Sequence, residues 1–267
     1  METLNKLLSI DLNYIVIVLF VVFYSLEQIL ETQFNFKKRG QHFFHSALFQ
    51  IVFLIGNLFW ASVTVFSIEW LNRNEIGLFY LIQLPVWLKL VLGLAMIDMV
   101  TYWFHRMSHK VPVLWRFHRV HHSDTTMDST TYFRSHPVEI LFWFGSSNIL
   151  AAGIFGLDLL TLGLYFLVAT PFFILEHSNL RFPAWLDKTL GLVITTPNLH
   201  KVHHEQEQFY TDSNFADVFI LWDRLFGTYK YKPVEQIKFG LKEFEENKKQ
   251  TFWYLFISPL FKIKKVT

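Results

Sequence analysis

Long apolar runs separated by short polar connections set the outline of the chain. A transmembrane helix needs about 20 mostly apolar residues, and the run from Leu12 to Ile29, broken once by Glu27, is the first that qualifies. A second extends from Phe43 to Phe66, and a third from Gly77 to Phe104, interrupted by Pro85 and Lys89. The apolar stretch from Ile140 to Leu175 is long enough for two more, with Gly153 to Asp158 as the turn of a helical hairpin. The pattern therefore predicts an all-α fold, a multi-pass membrane bundle of four to five transmembrane helices. Between these runs histidines gather in three places: His105-Arg-Met-Ser-His109, His118-Arg-Val-His121-His122 and His200-Lys-Val-His203-His204. A hairpin of two crossings separates the first two clusters from the third, which puts all three on one side of the membrane.

Composition strengthens the membrane reading and narrows the chemistry. Of 267 residues, 52% are hydrophobic and thirty are phenylalanine, more than a soluble domain of this length carries. There is no cysteine, which excludes disulfides, thiolate ligands, iron–sulfur clusters and a Cys nucleophile. A net charge of +2 without a basic stripe argues against nucleic acid. The opening Met1-Glu2-Thr3-Leu4-Asn5-Lys6 has neither a basic region nor a small-residue cleavage site, so the first apolar run is expected to stay in the protein.

Charge placement gives an orientation. Lys37, Lys38 and Arg39 join the first two runs, and Arg106, Lys110, Arg116, Arg119 and Arg134 surround the first two clusters. The positive-inside rule then places the histidines at the cytoplasmic face and Glu69 to Glu75 in an external loop. In the tail, Phe252 to Ile257 precede Pro259 and Lys262, Lys264 and Lys265. That run is too short to span; it fits a segment lying in the headgroup layer as well as a packed terminal helix.

Residues three and four apart on a helix share a face, so each histidine cluster can aim two or three ring nitrogens at one point. Eight imidazoles exceed the three or four that one zinc takes, and two metals with four or five histidines each use the inventory best. Imidazole suits iron, zinc and copper alike. A b-type haem wants single histidines rather than triplets, and the H-E-x-x-H of zincins is absent, since Arg106, Met107 and Ser108 separate His105 from His109. A membrane zinc hydrolase of another kind, or a non-catalytic metal-binding protein, stands as the alternative. His177, where the hairpin ends, is expected to join the ligands, and His136 is a weaker candidate; His42 and His45 read as structural. Asp98, two helical turns before His105 on the same stripe, is placed to accept a ligand N–H and fix its tautomer.

The order H-x3-H, H-x2-H-H, H-x2-H-H on a helical membrane frame resembles the fatty acid hydroxylase superfamily, also called the sterol desaturase family. The flanks extend the resemblance over roughly 90–231: Leu114-Trp115-Arg116-Phe117, His122-Ser123-Asp124, Arg134-Ser135-His136-Pro137-Val138-Glu139, and Trp222-Asp223-Arg224-Leu225-Phe226-Gly227-Thr228-Tyr229. Where many members read Asn-Tyr-Gly, this chain has Asn214-Phe215-Ala216. The resemblance implies a catalytic domain at 90–231 between an amino-terminal membrane region, 1–89, and a tail, 232–267. It implies two iron ions, for which zinc can substitute in purified protein, held by His105, His109, His118, His121, His122, His177, His200, His203, His204 and His136. No catalytic residue is expected beyond these ligands, with Asp98, Asp124, Asn198 and Asp223 supporting them from behind. It further implies dioxygen as co-substrate, a lipid substrate that is hydroxylated or desaturated, and electrons from a separate protein, cytochrome b5-like or ferredoxin-like. Trp103, Trp115, Phe142 and Trp143 are expected along the lipid's path.

Overall fold

The computed structural model describes residues 12–30, 32, 34 and 39–261. Met1 to Lys6, the basic Lys37 and Lys38, and the tail lysines Lys262, Lys264 and Lys265 lie outside the described residues. Among those described there is no strand, only two isolated bridges, so the chain is all-helical as its pattern predicts.

Seven helices position the site: α1 (Leu12–Ile29), α2 (Arg39–Arg73), α3 (Val86–Lys110), α4 (Pro112–His118), α5 (Gly145–Phe155), α6 (Leu159–His177) and α7 (Pro197–His203). Among the described residues three stretches are long and apolar enough to cross a membrane: Arg39–Leu81, Val86–Lys110 and Leu159–His177. Tyr14–Ile29 and Glu139–Phe155 are shorter apolar helices. The outward face of α2 carries Ile55, Leu58, Phe59 and Phe66, each more than 60% exposed; such a continuous apolar surface calls for a lipid neighbour.

The helix boundaries follow local chemistry. The third apolar run is not one helix from Gly77: a single helical turn, Leu78–Leu81, comes first, and α3 starts at Val86, directly after Pro85, whose fixed φ and missing N–H suit a helix start. It then runs through His105 and His109 without a break. The hairpin turn is confined to the end of its expected range. Gly156 closes α5 with φ 72°, a left-handed conformation that glycine adopts without steric cost. Asp158 then caps α6 by accepting from the backbone N–H of Thr161 at 2.8 Å.

α3, α5 and α6 enclose the main apolar core, in which Ile97, Val100, Ala151, Leu157, Tyr165 and Ala169 are buried. The amino-terminal helices are stitched to the histidine-bearing region by buried polar groups. Glu27 of α1 accepts from Ser129 N and Oγ and from Asn179 N at 2.7–3.0 Å. His42 of α2 binds Asp124 at 2.7 Å. The carboxyl-terminal helix Phe252–Ile257 turns Phe252 and Leu255 into the core, with Phe252 against Phe49, and leaves Trp253 exposed.

Candidate metal centre

The first histidine pair rides on α3, one turn apart. The second box is not one helix: α4 ends at His118 and a 3-10 turn, His121–Ser123, carries the rest. The third lies on α7, which Thr196 caps and which ends at His203, with His204 just beyond. All eight box histidines and His177 are buried.

They form two groups, within each of which one ligand-type atom per residue lies inside 4.8 Å of the others: His105, His109, His118, His122 and His203, and His121, His177, His200 and His204. Boxes two and three therefore do not each aim at one point, as their spacing suggested. The i, i+4 pairs, His118 with His122 and His200 with His204, stay together, while His121 and His203 cross to the opposite group. Successive helical residues are 100° apart, so neighbours such as His203 and His204 cannot face the same ion.

Hydrogen bonds fix the ring orientation. The Nδ1–H of His105 donates to the Phe215 carbonyl at 2.7 Å, that of His203 to Ser213 at 2.7 Å, and that of His177 to Phe173 at 2.6 Å. A carbonyl only accepts, so Nε2 of these three rings is an unprotonated lone pair. Those lone pairs face other ring nitrogens. His105 Nε2 lies 3.1 Å from His118 Nε2, and His177 Nε2 lies 3.0 and 3.1 Å from those of His121 and His200. The Nε2 atoms of His109 and His203 are buried with no hydrogen-bond partner among the described residues. Converging, dry lone pairs repel unless a cation sits between them, so the donor set fits two metal ions. Burial holds His118 to a pKa of about 3 and keeps His121, His122, His200, His203 and His204 well below the usual range. Neutral imidazole is the ligating form.

Carboxylates stand behind the rings, but not those expected. Glu139 Oε1 is 2.5 Å from His118 Nδ1, Glu176 Oε2 is 3.5 Å from His200 Nδ1, and Asp212 Oδ1 is 3.4 Å from His109 Nδ1. Of these, Glu139 and Glu176 were in view in the sequence, inside the quoted flank and beside His177, yet only the fold points them at a ring. Asp98 instead accepts from Tyr165, from the backbone N–H groups of Val218 and Phe219, and from the Trp222 indole; it anchors the Val218–Trp222 segment. Asp223 accepts from the backbone of Phe215 and Ala216, so it supports His105 one step removed, through the Phe215 carbonyl. Burial raises its pKa to about 6. Asp124 engages His42 and Thr131. Burial alone would raise its pKa, but Arg134 and His42 outweigh that and hold it low. Asn198 donates to Asp187 and Phe182. None of these four reaches a ring of the two groups.

His136 also stands apart. Its Nε2 donates to the Phe256 carbonyl at 3.1 Å and its Nδ1 accepts from Val138 N, so neither nitrogen is left to bind a metal. His45 accepts from Phe252 N, the structural role expected of it. Two of the basic residues used for orientation, Arg119 and Arg134, are buried in local contacts with Ser258, Glu243 and Gln250.

A cavity of about 540 Å³ opens onto both groups, reaching His105, His118, His121, His177 and His200. One wall is a stripe of α6, Leu162, Phe166, Thr170 and Phe173, and the facing wall a stripe of α2, Phe53, Asn57, Ala61 and Thr64; both repeat every three or four residues, one face of a helix. Trp103, Trp115, Phe142 and Trp143 are not among its walls. Trp103 packs on Phe226, Trp115 on His109, Phe142 on Trp60 and Trp143 on Phe104.

The fatty acid hydroxylase family model matches residues 90–228, more than half of the chain. Among curated proteins, human alkylglycerol monooxygenase is 29% identical over 203 residues, 70% of this chain and 40% of its own length. The ornithine lipid hydroxylase of Rhizobium tropici is 30% identical over 152 residues, 57% of this chain and 44% of its own. Methylsterol monooxygenase 2-2 of Arabidopsis thaliana is 33% identical over 143 residues, 53% of this chain and 52% of its own. The chain thus spans about half the length, or less, of these relatives. No solved structure matches it. Box order, flanks and converging rings agree with that match, and the chain belongs to the fatty acid hydroxylase family.

Proposed function

We propose that this chain is a multi-pass membrane oxidoreductase that uses two iron ions and dioxygen to hydroxylate or desaturate a lipid alkyl chain or sterol-like lipid. The observation that carries the reading is the junction of two buried histidine groups with an apolar cavity running between α2 and α6. The names of the relatives, alkylglycerol monooxygenase, ornithine lipid hydroxylase and methylsterol monooxygenase, favour the same class. The bundle crosses the membrane four to five times with its histidines at the cytoplasmic face, where a separate electron-donor protein docks.

His105, His109, His118, His122 and His203 hold one iron, and His121, His177, His200 and His204 the other. Iron, when bound, supplies the redox chemistry with dioxygen that an unactivated C–H bond requires. The protein does the rest. The carbonyls of Phe215, Ser213 and Phe173 lock Nδ1 protons in place, which aims each Nε2 and stabilises its tautomer. Glu139 hydrogen-bonds His118 Nδ1 and increases the basicity of that ring, and Glu176 lies 3.5 Å behind His200. The cavity excludes water and holds an alkyl segment beside the histidines, so reach and orientation select the carbon attacked.

The test is iron reconstitution followed by reductant-dependent oxygen uptake with a lipid extract, products read by mass spectrometry. Lipids that gain oxygen or lose hydrogen support the reading. Hydrolysis without oxygen uptake would instead make the chain a zinc hydrolase.

A further inference from the structure

We propose that two stretches flanking α7, residues 185–194 and 218–226, dip into the lipid bilayer from the histidine side without crossing it, and that acyl chains of that leaflet cover their apolar face. The inference rests on reading the chain as a membrane bundle, and it adds a re-entrant element to the spanning helices.

Leu190, Leu192, Val193, Leu221 and Leu225 are 46–66% exposed. They share one surface, because the two stretches are tied together: Thr195 N donates to the Val218 carbonyl at 2.9 Å, Leu221 N to that of Val193 at 3.4 Å, and Arg224 Nη2 to that of Gly191 at 2.7 Å. Scattered apolar residues on a surface are ordinary, but five large aliphatic side chains together call for a cover.

Depth identifies the cover. Asp98 stands midway along α3 and accepts from Val218 N, Phe219 N and the Trp222 indole. Val218 is buried in the main apolar core with Ile97 and Ala169. One turn further, Phe226 packs on Trp103 with ring centroids 4.9 Å apart, and its carbonyl accepts from Arg106 at 3.5 Å. The helix Leu221–Leu225 therefore runs beside α3, from the level of Asp98 to that of Arg106. At about 1.5 Å per residue, the Asp98 level lies roughly 12 Å toward the membrane centre from Arg106. A hydrocarbon core is about 30 Å thick, so Leu221 and its neighbour Val193 sit well inside it. Trp103, itself 39% exposed, joins this surface to the outer face of a membrane-spanning helix, and acyl chains are the cover continuous with both.

Irregular backbone at such a depth must find its partners within the protein, and these stretches do. Asp98 takes the N–H groups of Val218 and Phe219, and the N–H groups of Val193 and Ile194 donate to the Leu190 carbonyl at 3.0 and 2.9 Å. Arg224 is held on the Gly191 carbonyl and over the Tyr229 ring at 3.9 Å, the kind of partners that a charge near lipid needs. Trp185 and Lys188, exposed just before the descent, have the aromatic and basic character of a headgroup anchor.

The chain has no cysteine, so a single introduced cysteine reports one place. Leu192→Cys, Leu221→Cys, Lys188→Cys and, on α2, Phe59→Cys are labelled with bimane, and the full chain is placed in phosphatidylcholine nanodiscs. Quenching by phosphatidylcholine brominated at mid-chain is compared with quenching by iodide in the water. At positions 192 and 221, as at 59, brominated lipid is expected to quench at least threefold more than iodide, with the order reversed at 188. Iodide quenching at 192 and 221 as strong as at 188 overturns the proposal. So does shielding of both positions from either quencher, the sign of a second copy or another protein on this face. Iodide rather than lipid quenching at position 59 would overturn the membrane reading itself, which separates the two failures. Metal content equal to that of the unmodified chain checks folding, and Val193→Cys and Leu225→Cys stand in for a variant that fails this check.

Discussion

His203 and His204 are adjacent in sequence, yet they serve different groups, and this is the most informative detail at the scale of single residues. The ligand types and their three-and-four spacing are legible in the sequence, because a chelating pair must share a helix face. The division between metals is legible only once the 100° step between neighbours is applied to all three boxes together. Replacing either exchanged residue, His121→Ala or His203→Ala, is expected to lower bound metal, whereas His45→Ala leaves it unchanged; metal analysis of the purified variants checks this. Asp98 carries the opposite lesson. Its stripe pointed to a ligand, but the fold brings four donors from α6 and the Val218–Trp222 segment to it first. Asp98→Ala leaves those donors without an acceptor and should cost about 3 kcal/mol, with Asp98→Asn losing less, measured as unfolding midpoints in detergent.

At the scale of elements, the apolar runs predicted the helices well, since a hydrocarbon solvent permits little else. What they left open is which face of each helix meets which neighbour, and the cavity depends on that alone. Its aromatic walls, Phe53, Tyr132, Phe144 and Phe166, share nothing in sequence that separates them from Trp103 or Phe142, which pack elsewhere. Glu27 looked like a flaw in the first run and proves to be its anchor, accepting three hydrogen bonds from the loops after the second box and after α6. Glu27→Ala is expected to destabilise by roughly 2–3 kcal/mol through the donors it strands, seen as a lower unfolding midpoint; an unchanged midpoint would contradict the anchoring role. Gly145 lets Trp60 approach α5, and a Cβ there would lie 2.0 Å from the indole nitrogen. Gly145→Ala should therefore cost about 1–3 kcal/mol by overpacking, recovered in part by Trp60→Phe, and thermal unfolding of the pair reads this out.

For the molecule as a whole, so many buried neutral imidazoles set a pH limit. His118 is held to about 3 and His121, His122, His200, His203 and His204 are held low by burial. In the unfolded chain they take up protons near pH 6.5. The unfolded state therefore binds more protons as pH falls, and stability is present above about pH 6.5 and lost below it. The metal-free protein should show an unfolding midpoint that drops steadily from pH 7.5 to 5.5; a flat profile would mean that the rings are not held neutral.

The exchange of His121 and His203 between boxes also bears on how the centre fills. His203, if it held a first ion with the first group, would fix the orientation of α7, the helix that would offer His200 to a second ion, with His204 just beyond its end. The turn bearing His121 is bound in the same way to its neighbour His122. Each ion, when bound, would order ligands for the other, which predicts cooperative occupancy. The expected outcome, with metal at one equivalent per chain and loading read by native mass spectrometry, is a population of empty and doubly loaded molecules in which half-filled centres are scarce.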